Sequence, residues 1–150
     1  MLLLSARREA IRTVSASDIA SHGPEGRTPT ILVVDDEVLI RMALSDCLQD
    51  SGYKVLEAGN ADEAVAVLEH GHEIDLVFSD IRMPGTMDGF GLAKWIRQNR
   101  NGLPVLLTSG DSKKSDLAEQ LGGDEPFFAK PYDTQTILAQ IRQSIDARKR

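Results

Sequence analysis

The run Ile31-Leu32-Val33-Val34-Asp35-Asp36-Glu37 sets four apolar residues directly against three acids. Four successive Ile, Leu and Val side chains, with no polar residue alternating among them, read as a short strand buried on both faces. That is the setting of a parallel sheet covered by helices on both sides. The acids then stand at the carboxyl end of the strand.

Outward from this run the same pattern recurs. Further strands are expected at Tyr53 to Ala58, Asp75-Leu76-Val77-Phe78-Ser79, Pro104-Val105-Leu106-Leu107-Thr108 and Pro126-Phe127-Phe128-Ala129. Helical spacing separates them: Ile40, Leu44, Cys47 and Leu48 form one stripe, and Ala61, Ala64, Val65 and Leu68 a second. Asn60 supplies an N-cap with Glu63 as its capping-box partner, while Gly52 and Gly71 stand where helices should stop. A third helix is expected from Asp88 to about Asn101, a fourth from Ser112 to Leu121 and a fifth from Asp133 to about Ala147. Ile137, Leu138, Ile141 and Ile145 give the last of these the clearest stripe. Five strand-helix pairs predict an α/β fold, a doubly wound parallel sheet that binds ligands at the carboxyl ends of its strands near the topological switch point.

A chain of 150 residues is the length of one ordinary domain and can bury a core without disulfides. Its 41% hydrophobic and 27% charged residues place it with soluble globular proteins rather than disordered or membrane chains. A formal net charge of -6 argues against nucleic acid as a direct partner, because phosphate-backbone binding needs clustered Lys and Arg. The single cysteine, Cys47, has no internal partner and lies in a helical stripe, which reads as a reduced, buried thiol. Met1-Leu2-Leu3-Leu4 is too short for a signal-peptide core, and Arg7 and Arg8 follow it rather than precede it. No stretch approaches the roughly 18 apolar residues of a membrane span, so no membrane association is expected and the cytoplasm is the expected compartment. Residues 1–29 end in Ser21-His22-Gly23-Pro24-Glu25-Gly26-Arg27-Thr28-Pro29, whose Gly and Pro read as linker. They are expected to form a flexible N-terminal extension, with Leu2 to Val14 either a short helix or a frayed tail, ahead of a folded domain over 30–148.

The strand ends carry the chemistry. Asp35 and Asp36 follow the first strand, Asp80 the third, Thr108 and Ser109 the fourth, and Lys130 the fifth. Taken singly, these residues read as an N-cap, a turn former and a solvated lysine. Taken together they converge, because the strand ends of a parallel sheet lie side by side. Two carboxylates about 4 Å apart repel by about 4 kcal/mol at an effective dielectric near 20, so three such acids call for a cation. An all-oxygen site of few carboxylates suits Mg2+, which keeps part of its water shell and bridges to phosphate. With charge balanced by Mg2+ and Lys130, one carboxylate can attack phosphorus and form an acyl phosphate, and Asp80 is the best placed.

Val33-Val34-Asp35-Asp36-Glu37, Asp80-Ile81-Arg82-Met83-Pro84-Gly85, Thr108-Ser109-Gly110 and Lys130-Pro131-Tyr132 together resemble the motifs of bacterial two-component response-regulator receiver domains. The resemblance runs from about Thr30 to Ala147. It implies a flavodoxin-like (βα)5 sheet of strand order 2-1-3-4-5 and a role as a phosphoacceptor switch rather than an enzyme. By the same resemblance Asp80 takes a phosphoryl group from the phosphohistidine of a sensor histidine kinase or phosphotransfer protein. Asp35 and Asp36 hold Mg2+, Asp36 the more directly, with Asp80 and the Arg82 backbone carbonyl. Lys130 pairs with one phosphoryl oxygen, the Thr108 hydroxyl bonds another, and the Lys130-Pro131 peptide is cis. Phosphorylation would act through Thr108 and Phe127 on the face built from the fourth helix, fifth strand and fifth helix, where an unknown protein partner docks. The chain ends at Arg150, so a single-domain regulator with no output domain of its own is expected.

Three features depart from the commonest pattern. Phe127 stands at the switch-aromatic position, where Tyr is also common, and lacks the phenolic hydroxyl; inward rotation and static core packing both remain open there. The loop Met83-Pro84-Gly85-Thr86-Met87-Asp88-Gly89 is one residue longer than the usual form, and Arg82 sits where side chains influence access of the hydrolytic water. Three rival readings are a phosphate sink, a binding module that never uses its pocket, and a haloacid-dehalogenase-like phosphatase. The last would need a DxD motif after the first strand, which Asp35-Asp36-Glu37 does not supply. His70 and His72 lack a matching ligand cluster and read as solvated loop. Trp95, beside Leu92 and Ile96, reads as partly buried core, and Arg148-Lys149-Arg150 as a solvated basic helix end.

Overall fold

The computed structural model describes residues 27–110 and 127–149. Five strands form one parallel sheet: β1 (Thr30–Val34), β2 (Lys54–Ala58), β3 (Leu76–Asp80), β4 (Val105–Ser109) and β5 (Phe127–Ala129). Their spatial order is β2-β1-β3-β4-β5, so the switch point lies between β1 and β3. The described helices are α1 (Val38–Asp50), α2 (Ala61–Glu69), α3 (Gly89–Asn99) and α4 (Thr134–Lys149). The helix expected at Ser112 to Leu121 lies outside the described residues, as does the segment Leu2 to Val14.

The pleat sorts side chains into two cores. Leu32, Val34, Val77, Val105 and Leu107 face α2 and α3, where Leu68, Leu92 and Ile96 meet them. Ile31, Val33, Leu76, Phe78 and Leu106 face the other way, against Leu44 and Leu48 of α1 and Ile137, Ile141 and Ile145 of α4. Strands β1, β3 and β4 are buried throughout, which is why their sequences run apolar without alternation. Strand β2 is only partly covered, since it is an edge with one neighbour.

Local signals account for the helix ends. Asn60 caps α2 by accepting from the Glu63 N–H at 2.8 Å, and Glu63 reaches back to the Gly59 N–H at 2.9 Å, one residue earlier than an ideal capping box. Asp88 caps α3 by accepting from the Gly91 N–H at 2.9 Å. Gly52 and Gly71 adopt φ of 99° and 83° just past α1 and α2, conformations in which a side chain is strained.

The amino-terminal pole of the sheet holds an ion cluster. Asp75, 1% exposed, accepts two bonds from Arg27, at 2.7 and 3.0 Å, and one from the Thr30 N–H at 2.7 Å. Arg148 of α4 stands 3.8 Å from the same carboxylate. No described helix is long and apolar enough to cross a membrane.

Candidate functional site

The pleat that builds the second core also builds the site. Asp35 continues the parity of Ile31 and Val33, Asp80 that of Leu76 and Phe78, Thr108 that of Leu106, and Lys130 that of Phe128. All four therefore leave the sheet on the α1–α4 side, at the carboxyl ends of β1, β3, β4 and β5. Asp80 and Thr108 are direct register partners. Backbone bonds extend the ladders past the strand ends: Asp35 N–H to Ala58 O at 3.1 Å, Ile81 N–H to Thr108 O at 2.8 Å and Lys130 N–H to Ser109 O at 2.8 Å.

Asp35, Asp36 and Asp80 each offer a carboxylate oxygen, and these atoms lie within 4.8 Å of one another. Asp35 and Asp80 are buried, each 5% exposed, whereas Asp36 is exposed. Lys130 Nζ bonds Asp35 Oδ2 at 3.1 Å, stands 3.3 Å from Asp80 Oδ2 and 3.9 Å from Glu37 Oε1. Asp35 Oδ1 accepts from the Glu37 N–H at 2.9 Å.

The electrostatics follow from burial. Loss of solvent pushes the Asp80 carboxyl above the usual aspartate range and the Asp35 charge adds to this, against the pull of Lys130. Burial alone would lower the Lys130 ammonium, but Asp80 and Asp35 together hold it above its ordinary value, so it stays charged at neutral pH.

Within the site, two buried side-chain oxygens have no hydrogen-bond partner, Asp80 Oδ1 and Thr108 Oγ1. A buried polar atom left unpaired costs about 1–3 kcal/mol, so two in one site mark a place built for a ligand. The donor set is all oxygen and net negative, which fits Mg2+. Among the described residues no other group of three His, Cys, Asp or Glu side chains is close enough to hold a metal, and His70 and His72 join none.

Gly89 presses against the end of β3. Its N–H donates to Ile81 O at 2.7 Å, and an added Cβ would stand 2.4 Å from Asp80 O. Arg82 lines a cleft of about 440 Å3 with Asp36, Met83, Pro84 and Asp88. The longer loop is tied to α2 by Thr86 Oγ1, which donates to Asp62 Oδ1 at 3.0 Å, and it turns at Gly85 with φ 113°. The Lys130-Pro131 peptide is cis. Phe127 opens β5 opposite Leu107, and its side chain lies outside the described residues. Burial raises the Cys47 thiol pKa, with Asp50 adding to it, which makes the thiol a poor nucleophile. Sequence reasoning passed over Arg41, which bonds both the Asp35 carbonyl and Glu57; its place three residues into the first helix carried no signal of that contact.

Residues 31–142 match the model of the response regulator receiver domain. The chain is 34% identical over 123 residues to the transcriptional regulatory protein AruR of Pseudomonas aeruginosa, covering 78% of this chain and 49% of that protein. It is 34% identical over 118 residues to the transcriptional regulatory protein PdtaR of Mycobacterium tuberculosis, covering 77% and 56%. It thus spans about half the length of the curated relatives it matches. The response regulator protein TrrA of Thermotoga maritima, solved in complex with Mg(2+)-BeF, superposes with a TM-score of 0.70 at 31% identity, covering 78% of this chain and 99% of that one. With the β2-β1-β3-β4-β5 sheet, a family match across most of the described residues and relatives at one-third identity, the chain belongs to the response regulator receiver domain family.

Proposed function

We propose that this receiver is a phosphorylation switch in which Asp80 accepts a phosphoryl group from the phosphohistidine of a sensor histidine kinase or phosphotransfer protein. The observation that carries this reading is the state of the Asp80 carboxylate. Its Oδ2 stands beside Lys130, its Oδ1 has no partner, and Asp35, Asp36 and the unpaired Thr108 hydroxyl surround it. Asp35, Asp36 and Asp80 would hold Mg2+, with the Arg82 backbone carbonyl as a further ligand. Bound Mg2+ would offset the charge of the three acids and of the phosphoryl oxygens. The relative solved with Mg(2+)-BeF supports a metal in this pocket.

In the transfer step an Asp80 oxygen bonds to phosphorus as the donor's nitrogen–phosphorus bond breaks. The departing imidazole keeps the electron pair and takes a proton from water. Lys130 pairs with one phosphoryl oxygen, and the Thr108 hydroxyl donates to another, which gives that buried hydroxyl its partner. The phosphodonor is a protein, and Val38, Leu39 and Met42, exposed in the first turns of α1 directly after Asp36 and Glu37, give it an apolar footing beside the pocket. Output passes through the face of the expected fourth helix, β5 and α4 to a protein partner in the cytoplasm, with Thr108 and Phe127 as the switch residues. The net charge of -6 supports a protein partner over nucleic acid. Residues 30–148 act as the switch unit and 1–29 as an extension to it.

Amide NMR with Mg2+ and beryllofluoride tests the reading. Shifts at residues 80, 108 and 130 are expected in the wild type and not in Asp80→Asn. Equal shifts in both proteins, or none in the wild type, would contradict it.

A further inference from the structure

Asp36 is the exposed member of the acidic trio, and no described hydrogen bond or ion pair holds its carboxylate. A ligand whose side chain is unanchored takes its position from its backbone. The backbone of Asp36 is held from both sides: the Glu37 N–H donates to Asp35 Oδ1 at 2.9 Å, and the carbonyl of the peptide that joins it to Asp35, Asp35 O, accepts from Arg41 Nη1 at 2.7 Å. Arg41 Nε meanwhile bonds Glu57 Oε1 on the edge strand at 2.9 Å. The Arg41 side chain is mostly covered, 18% exposed, and its bond to Asp35 O is partly shielded from water, whereas its bond to Glu57 is exposed. A guanidinium presents its N–H groups as a rigid fork and can hold two acceptors at once, whereas a lysine ammonium is a point charge on a flexible stem and lacks that fork.

We propose that Arg41 is a positioning residue for the divalent cation. Braced on Glu57 of β2, it fixes the Asp35–Asp36 peptide and so keeps the Asp36 carboxylate beside Asp35 and Asp80. This rests on the reading that the acidic trio holds Mg2+. Arg41 is not itself a metal ligand, and the alternative role, a simple positive charge near the pocket, has the opposite sign. A cation beside the site repels a second cation, so deleting that charge alone would tighten Mg2+ binding. Positioning requires that binding weaken.

Mg2+ titrations of the full chain, followed by calorimetry or by the residue 36 amide shift, decide between them for wild type, Arg41→Lys and Arg41→Ala. A thermal melt of each variant verifies folding. Loss of a charge-assisted hydrogen bond to the ligand loop is expected to raise the Mg2+ dissociation constant about tenfold in Arg41→Ala. Arg41→Lys, with charge and stem kept, is expected to bind several-fold more weakly than wild type. Tighter binding by Arg41→Ala, or equal binding by Arg41→Lys, would overturn the proposal while leaving the metal site intact. If Arg41→Ala does not fold, Arg41→Lys decides alone. Absence of Mg2+ binding by the wild type would instead remove the metal reading, and the proposal with it.

Discussion

At the scale of single residues, the site leaves two buried oxygens without partners, Asp80 Oδ1 and Thr108 Oγ1. Thr108 Oγ1 is buried and unpaired, so it contributes nothing to the unphosphorylated fold. Thr108→Val keeps the branched shape that a strand favours and removes that orphan, so the metal-free protein should melt at a higher temperature, by the equivalent of about 1 kcal/mol. The same variant should bind beryllofluoride more weakly, and calorimetry of both states checks the pair of effects. Asp80 makes a similar trade through its charge. Its carboxyl is raised in the folded protein by burial, with Asp35 adding, so the folded state holds the proton more tightly than the unfolded chain. Stability from this group is fully present below the ordinary aspartate value, about 3.9, and is lost as pH rises through the higher folded value. Without Mg2+, Asp80→Asn should therefore melt higher than wild type at pH 7, and the difference should close as pH falls below 4; thermal melts across pH measure it. The residue types at the strand ends were legible in the sequence. Their common face was also available in principle, because strand parity aligns Asp35, Asp80, Thr108 and Lys130. Which of their atoms lack partners depends on distances of a few tenths of an ångström and was not.

Elements carry the site by their ends. The caps at Asn60 and Asp88 and the stops at Gly52 and Gly71 are local signals, so the described helices appear where the sequence places them to within a few residues. Strand β2 shows the complementary case: Lys54 and Glu57 mark it as less apolar, but only the assembled order makes it an edge. Helix α3 begins hard against the end of β3, and Gly89 is what permits the approach. A Cβ there would meet Asp80 O at 2.4 Å and Ile81 Cα at 2.6 Å, backbone atoms that cannot move aside without shifting Asp80. Gly89→Ala should destabilise the protein by about 2 kcal/mol or more and slow phosphorylation, read by urea unfolding and by rate of mass gain. Nothing in the local sequence around Gly89 distinguished this close approach from an ordinary helix start.

On the scale of the whole molecule, the two ends of the parallel sheet are charged in different ways. The carboxyl ends gather acids around one lysine, while the amino ends close on Asp75, which Arg27 binds from just ahead of β1 and Arg148 approaches from the end of α4. Residues 27, 75 and 148 share no period or motif, and only the fold brings them together; the sequence marked Asp75 as no more than a strand start. Because Asp75 is buried and accepts from Arg27 and the Thr30 N–H, Asp75→Asn should cost about 2 kcal/mol in urea unfolding with the acidic pocket unchanged. The pocket itself is the part on which function turns, and its central claim concerns one oxygen–phosphorus bond. Acetyl phosphate and Mg2+ incubated with the full chain, followed by intact-mass measurement, read that bond directly. One added phosphoryl group on the wild type and none on Asp80→Asn is the predicted result; the same mass gain on both proteins, or none on the wild type, would contradict the account.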